Sequence, residues 1–346
     1  MTYLIGIDEA GYGPNLGPLC IGATAWKVES IVGPFPKDSG QGAATLPNLY
    51  ETLSDIVTQT ASEGKVAIAD SKQLYKPASH AKGSAGLKHL ELGVLSALRA
   101  SGSEGKTPTN VEEFFAATSA DPANHRAGIP WYQEANERLP IDAKPQAVDQ
   151  VACRLRRVLE ETNIKLCEMQ SRLVYPEEFN TLVEKYETKG AALSHVTLAL
   201  VRGVIDALGN SNGAGDSPTR YSIVCDKHGG RNRYAALLQH HFPEDWIETE
   251  VESRGESRYR WQSETRQATI SFRSKGESFL PAALASMIAK YHRELAMRSF
   301  NAFWQKQVPG IKPTAGYPQD AKRFKAEIVE KQRELGIDDR VLWRSR

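Results

Sequence analysis

The sequence predicts an α/β fold, a sheet flanked by helices with its chemistry gathered along one rim. Two observations carry this. Three short apolar runs, residues 3–7, 65–69 and 221–225, stop at acids: Asp8-Glu9, Asp70-Ser71-Lys72 and Asp226. Elsewhere apolar residues recur at helical spacing, as in Leu193, Val196, Leu200, Ile205 and Leu208, and in Leu284, Ile288, Tyr291 and Leu295.

Taken in order, residues 3–7 read as a buried strand ended by a turn containing Gly11, Gly13, Pro14, Gly17 and Pro18. Residues 19–26 then return beside it, so the first two strands form a hairpin. Residues 30–45 are rich in Gly, Pro and Ser and read as an insertion. Residues 101–145 are polar, with few apolar residues in any period, and read as an irregular flap or mobile subdomain. The helix through Leu193 stops at Gly209. Residues 246–253 and 267–272 alternate like strands, and a helix over 281–304 carries Lys290, Arg293 and Arg298 on its polar face. No internal repeat is present.

With 346 residues the chain is long enough for one large α/β domain or two modest ones. A net charge of +1 means that a nucleic-acid partner would require the basic residues to be concentrated on one face. Cys20, Cys153, Cys167 and Cys225 are too scattered for a zinc knuckle or redox pair, so reduced thiols are expected. The apolar start runs into Asp8-Glu9, too short for a signal peptide. No run is read as approaching the ~18 apolar residues of a membrane span. A soluble, cytoplasmic protein is expected.

The strongest chemical signal is Gly6-Ile7-Asp8-Glu9-Ala10-Gly11-Tyr12-Gly13-Pro14. Neighbours on a strand face opposite ways, so Asp8 and Glu9 reach one site only at a strand end, where a glycine turn lets the backbone bend. The competing reading is a solvated acidic turn. Asp226 alone is an ordinary turn former, and Glu277, just before the helix near Pro281, suits a helix N-terminus. Lys72 is a candidate for a phosphate or a plain loop lysine. Arg254, Arg258, Tyr259, Arg260, Trp261 and Arg266 suit a nucleic-acid backbone or, equally, a charged edge strand. His195 and His228 lack ligand spacing; His195 reads as structural and His228, two residues past Asp226, as a helper beside that acid.

Residues 6–18 resemble the opening of type 2 ribonucleases H, the HII and HIII group, whose first strand ends in Asp-Glu before a glycine-rich loop. Asp70-Ser71-Lys72 is similar to that family's Asp-Ser-Lys motif. Pro176-Glu177-Glu178-Phe179-Asn180, with the helix through His195, resembles a segment of the HIII branch. Lys275 to Glu277, with Ala285-Ser286-Met287-Ile288-Ala289-Lys290 after it, resembles the last motif, and Gly316-Tyr317 the late Gly-Tyr of the HII branch. These matches run in family order from residue 3 to about residue 340.

The resemblance implies a ribonuclease H-like mixed sheet flanked by helices, a catalytic domain over 1–300, and a C-terminal helical substrate-contacting extension over 301–346. It implies that Asp8, Glu9, Asp226 and Glu277 are catalytic and bind metal. Two carboxylates ~4 Å apart repel by about 4 kcal/mol at an effective dielectric of ~20, so four together call for protons or divalent cations. Oxygen-only ligands favour magnesium or manganese, two ions acting together. The implied substrate is an RNA–DNA hybrid cut in its RNA strand, leaving 5′-phosphate and 3′-hydroxyl ends, with a monomeric enzyme and no membrane partner. Gly11, Tyr12 and Gly13, supported by Tyr317, would read the 2′-hydroxyl; Ser71 and Lys72 complete the implied substrate contacts. Tyr12 replaces the HII branch's arginine, Glu277 leans towards HIII, and the HIII substrate-binding domain that would precede residue 3 is not in the sequence, so features of the two branches mix. The alternative is a catalytically weakened hybrid-binding protein. A nuclease of another ribonuclease H-like class acting on DNA is disfavoured by the motif order.

Overall fold

The computed structural model describes residues 1–28, 47–75, 86–102, 108–120, 126, 128–133, 136–210, 218–274 and 276–345, with the Glu277 side chain outside that set. The insertion expected at 30–45 therefore lies outside the described residues. The strands are β1 (Thr2–Ala10), β2 (Leu19–Val28), β3 (Val57–Thr58), β4 (Val66–Ala67), β5 (Lys165–Val174), β6 (Thr219–Asp226), β7 (Glu248–Glu252), β8 (Glu256–Gln262) and β9 (Arg266–Arg273). The first helices are α1 (Leu49–Thr52), α2 (Ser71–Leu74), α3 (Lys88–Ser101), α4 (Val111–Thr118), α5 (Pro145–Glu161) and α6 (Pro176–Tyr186). Then come α7 (Lys189–Asn210), α8 (Ala235–His241), α9 (Leu280–Gln307), α10 (Pro318–Glu334) and α11 (Asp339–Leu342).

Among the described residues, seven strands form one sheet in the order β5-β2-β1-β6-β9-β8-β7. The hairpin predicted for β1 and β2 is present and antiparallel, while β1, β6 and β9 run parallel, so their carboxyl ends share one rim. This is the mixed sheet flanked by helices that the sequence predicts. One expectation needs correction. The run at 65–69 is not in this sheet: β4 pairs only with β3, in a separate two-stranded parallel pair. It still delivers Asp70 to the rim, because α2 begins there with Asp70 as its N-cap.

The period of two in β1 sorts the core. Tyr3, Ile5 and Ile7 are buried with Leu193, Val201 and Ile205 of α7 on one face. Leu4 is buried on the other with Leu284, Met287 and Ile288 of α9. Gly6 and Gly22 let α9 lie directly on the sheet: a side-chain carbon at Gly6 would stand 2.0 Å from the Ala282 amide nitrogen, and one at Gly22 2.1 Å from the Ala285 carbonyl oxygen. Thr24 Oγ1 donates to the Pro281 carbonyl at 2.7 Å across the same contact. Two bare backbone positions therefore bring the start of α9 against the strand ends.

Of the segment read as an irregular flap, the described residues are packed rather than free. Its apolar residues are few but aromatic, and they face α9: Phe114 lies 5.0 Å from Tyr291, Phe115 4.9 Å from His292, and Trp131 5.2 Å from Phe300 between ring centroids. Helix α9 runs unbroken past residue 300, and Phe324, Ile328 and Leu342 from beyond it join the core cluster that holds Phe300 and Trp304. Helix α7 also departs from expectation, since it is long and apolar enough to cross a membrane by length and composition. Here 56% of its most apolar window is buried, with eleven buried residues along its length packed beside the sheet.

Candidate metal centre at the strand rim

Asp8 and Glu9 lie in the last three residues of β1, which ends at Ala10, and Asp226 closes β6 beside it, one residue past the last β1–β6 pair, Ile7 with Cys225. The alternation puts Asp8 on the α9 side of the sheet and Glu9 on the α7 side. At the rim these sides meet: carboxylate oxygens of Asp8, Glu9 and Asp226 all lie within 4.8 Å of one another. The two acids stay in regular register with Gly22 and Ile21 of β2, so no bend of the kind expected occurs at them, and the Glu9 amide donates to Asp8 Oδ1 at 2.8 Å.

Such a gathering is electrostatically costly. Burial pushes the Asp8 carboxyl up from 3.8 to about 7, partly countered by a hydrogen bond from Ser286 and increased by the charge of Asp226. Burial, then the charges of Asp8 and Asp226, push Glu9 up from 4.5 to about 8, against the pull of Lys72. Both proton affinities rise because the charged forms lose water and face each other. Lys72 feels the converse: burial works against its charge, yet Asp70, Asp8, Asp226 and Glu9 together hold it above its ordinary value. The exposed Lys72 is thus the cation of the rim.

Ser71 sits differently from the expected substrate contact. It is 5% exposed, and its hydroxyl lies at hydrogen-bond distance, 3.0 Å, from Ser286 Oγ. Ser286, on α9, also hydrogen-bonds Asp8. The pair therefore stands behind Asp8 and orients it.

Glu277 falls on a side chain outside the described residues. Its backbone lies in the single turn Gly276–Ser278 that follows β9, and a side-chain carbon at Gly276 would come within 3.9 Å of the Asp226 amide nitrogen. The turn is thus beside the rim.

The 11–18 loop is clamped from below by two buried arginines that sequence reasoning missed. Arg293, expected on a polar face, is 3% exposed and donates to the carbonyls of Pro18 at 2.6 Å, Leu16 at 3.2 Å and Ala315 at 3.0 Å. Arg344 is fully buried, lies 4.9 Å over the Phe179 ring, and donates to the Gly11 carbonyl at 2.6 Å and to that of Pro14. Gly11 has φ +85, and a side-chain carbon there would meet the Arg293 side chain at 2.7 Å and the Pro18 carbonyl at 2.8 Å. The Asn15 amide donates to the Gly316 carbonyl at 2.7 Å. That contact sets the 58% exposed Tyr317 next to Gly13, whose side-chain carbon would lie 3.9 Å from the tyrosine ring. Tyr12 is half-buried, its hydroxyl pushed up by burial and the charge of Glu9 and eased by Arg231. No local pattern announces Arg344. Ser286 lies in the segment Ala285–Lys290, where nothing in its neighbours marks it as facing Asp8.

Apart from the exposed Arg254, the basic and aromatic cluster is engaged within the fold. Tyr259 and Trp261 are core residues, 0% and 2% exposed. Arg258 pairs with Glu250 at 2.8 Å, Arg260 with Glu248 at 2.6 Å and Arg266 with Glu244 at 2.6 Å. The edge strand is β7, and its acids match the arginines of β8. His228 is also structural: it is 4% exposed, faces Ser194 Oγ at 3.0 Å through Nδ1, and burial pushes it down to about 3.

No protein-family model matches the chain, and no curated protein matches it in sequence. Among solved structures it is similar to the ribonuclease HII complexed with PCNA from Archaeoglobus fulgidus, at 12% identity and TM-score 0.40 over 99% of this chain and 94% of that one. It is similar to ribonuclease H2 from Pyrococcus horikoshii OT3, at 13% identity and TM-score 0.40 over 98% and 92%. Bst-RNase HIII in complex with Mn2+ is similar at 11% identity and TM-score 0.39, over 99% of this chain and 66% of that one.

Proposed function

We propose that the protein is a type 2 ribonuclease H, an endonuclease that hydrolyses the RNA strand of RNA–DNA hybrids with two Mg2+ or Mn2+ ions. The observation that carries this reading is the convergence of Asp8, Glu9 and Asp226 within 4.8 Å at the carboxyl ends of two parallel strands. The open rim of such a sheet is where α/β folds place ligands. The donor set fits hard divalent cations: the ligands are all oxygens, and their raised proton affinities mark negative charge that a cation would relieve. Asp8, Glu9 and Asp226 would hold the ions, with Glu277 completing the set. When bound, the ions supply activation of a water and charge stabilisation at the leaving 3′-oxygen, giving 5′-phosphate and 3′-hydroxyl ends.

The chain's own residues do the rest. Ser71 and Ser286 keep Asp8 in its rotamer. Lys72, exposed beside the carboxylates, meets a substrate phosphate. The backbone at Gly11 and Gly13, held in place by Arg293 and Arg344, is presented with Tyr317 to the sugar edge, where a 2′-hydroxyl distinguishes RNA from DNA. Tyr12 occupies the position next to Glu9 that an arginine fills in the HII branch.

The test is cleavage of a uniform RNA–DNA hybrid by the purified chain with Mg2+ or Mn2+. Asp8→Asn is expected to lower the rate at least about a thousandfold, ~4 kcal/mol of transition-state stabilisation, with the circular dichroism spectrum unchanged. An intact hybrid under conditions where a known type 2 enzyme cuts it would overturn the reading. Metal-independent hybrid binding without cleavage would favour the binding-protein alternative.

A further inference from the structure

A second group of metal-ligating side chains lies away from the carboxylates, on the α7–α8 side of the sheet. His195 on α7 and the adjacent pair His240 and His241, at the C-terminal end of α8, each offer a ring nitrogen within 4.8 Å of the other two. His195 Nδ1 and His241 Nε2 are 3.1 Å apart. Four tetrahedral ligands at ~2.0–2.1 Å from a zinc ion stand roughly 3.3 Å from one another, so this pair is already at ligand spacing. His240 is exposed, with its ring 5.2 Å from that of His195 and 5.1 Å from that of His241 between centroids.

The surroundings support ligation. The Tyr186 ring stacks on His195 at 3.8 Å and 12°, which fixes the imidazole plane. Arg202 Nη1 donates to the His241 carbonyl at 3.0 Å, while its charge is met by Asp206 and Glu244, each at 2.7 Å. Burial, then the neighbouring histidines, push His241 down to about 4, and burial also lowers His195. The helix C-terminus adds partial negative charge beside them.

We infer that His195, His240 and His241 form a binding site for a borderline transition-metal ion of the Zn2+ class, distinct in chemistry from the carboxylate rim. Imidazole nitrogen suits Zn2+, Co2+ and Ni2+, whereas the rim suits Mg2+ and Mn2+. Three histidines leave one tetrahedral position for water. The role is positional. Residues 227–234 run from Asp226 to α8, and Ser194, next to His195, holds His228 of that segment. Arg231, in the same segment, acts electrostatically on both Tyr12 and His195. An ion joining α8 to α7 would stiffen the stretch that leaves the carboxylate rim.

The test uses the untagged full-length chain, stripped of metal and titrated with Co2+ in excess Mg2+, with ligand-field absorption as the readout and no nucleic-acid substrate present. The expected result is one tight equivalent with the intense bands of tetrahedral, nitrogen-rich Co2+, displaced by Zn2+. His240→Ala, at an exposed position, should weaken it at least about a hundredfold, beyond the 10–100-fold that loss of a supporting partner costs. Asp226→Asn should leave it in place. Absence of the bands in the wild-type chain would show a hydrogen-bonded histidine cluster only. Retention of tight Co2+ in His240→Ala, or its loss in Asp226→Asn, would equally overturn the proposal. None of these outcomes depends on whether the chain cuts hybrids.

Discussion

The strand rim and the far edge of the same sheet treat charge in opposite ways. At the edge, Glu248 and Glu250 of β7 each face an arginine of β8. At the rim, Asp8, Glu9 and Asp226 gather with Asp70 nearby, and Lys72 is the cation that their charges hold. Matched charges at an edge protect it from pairing with another chain and explain themselves. Like charges brought together and partly desolvated cost free energy that folding must absorb elsewhere, and such sites mark function. The contrast also explains why the two arginine-rich stretches part ways. Arg258 and Arg260 pair with carboxylates, whereas Arg293 and, through one nitrogen, Arg344 donate to backbone carbonyls under the loop that follows Asp8 and Glu9.

If the rim is held by backbone rather than by counter-charges, the largest stability effect should come from breaking that backbone. Gly11→Ala places a side-chain carbon at φ +85 and 2.8 Å from the Pro18 carbonyl. Strain of that kind costs about 1–3 kcal/mol, and the clash adds to it. The expected outcome is a clear drop in the urea midpoint together with weakened hybrid cleavage. A variant of unchanged midpoint would show that the loop is looser than its two arginine clamps imply.

A smaller effect of opposite sign should follow from relieving the repulsion. Burial and like charge raise Asp8 from 3.8 to about 7 and Glu9 from 4.5 to about 8. The metal-free folded state therefore holds more protons than the unfolded chain between about pH 4 and 8. The stability carried by these two groups is complete below that window and is lost as pH rises through the folded values. Asp226→Asn removes one of the repelling charges. At pH 8 in chelator it should stabilise the protein by at least ~1 kcal/mol, about one pKa unit's worth, and by little at pH 5, where Asp8 and Glu9 are already protonated. Equal effects at the two pH values would mean that the three acids do not share one field.

The legible part of this molecule was what periodicity and punctuation carry. The hairpin, α7, α9 and the acids at strand ends all followed from short-range pattern, and period two correctly put Asp8 and Glu9 on opposite faces that rejoin at the rim. What stayed hidden depended on contacts distant in sequence. Nothing local distinguishes Arg293, which is buried, from Arg298, which pairs with Glu137 at the surface; the loop that Arg293 supports lies more than 270 residues earlier. Phe114, Phe115 and Trp131 looked too sparse for a core because the surface they pack on belongs to α9. His195 lacked ligand spacing because its partners, His240 and His241, arrive on another helix. The Ser286–Ser71 contact spans 215 residues and is likewise a product of the close approach of α9 that Gly6 and Gly22 permit.

The smallest effect belongs to the matched edge. Arg260 and Glu248 have side chains 40% and 43% exposed, so solvent screens their 2.6 Å contact. Exposed pairs of this kind contribute about 0.2–1 kcal/mol. Arg260→Ala should therefore lower stability by less than ~1 kcal/mol, with the difference shrinking in high salt. Hybrid binding should be unchanged, because the guanidinium is already engaged by Glu248 and Tyr259 and Trp261 on the same strand point into the core. A salt-dependent loss of hybrid affinity in Arg260→Ala, measured by fluorescence anisotropy, would instead mean that Glu248 yields its arginine to a phosphate, and the edge would then belong to the binding surface together with the rim.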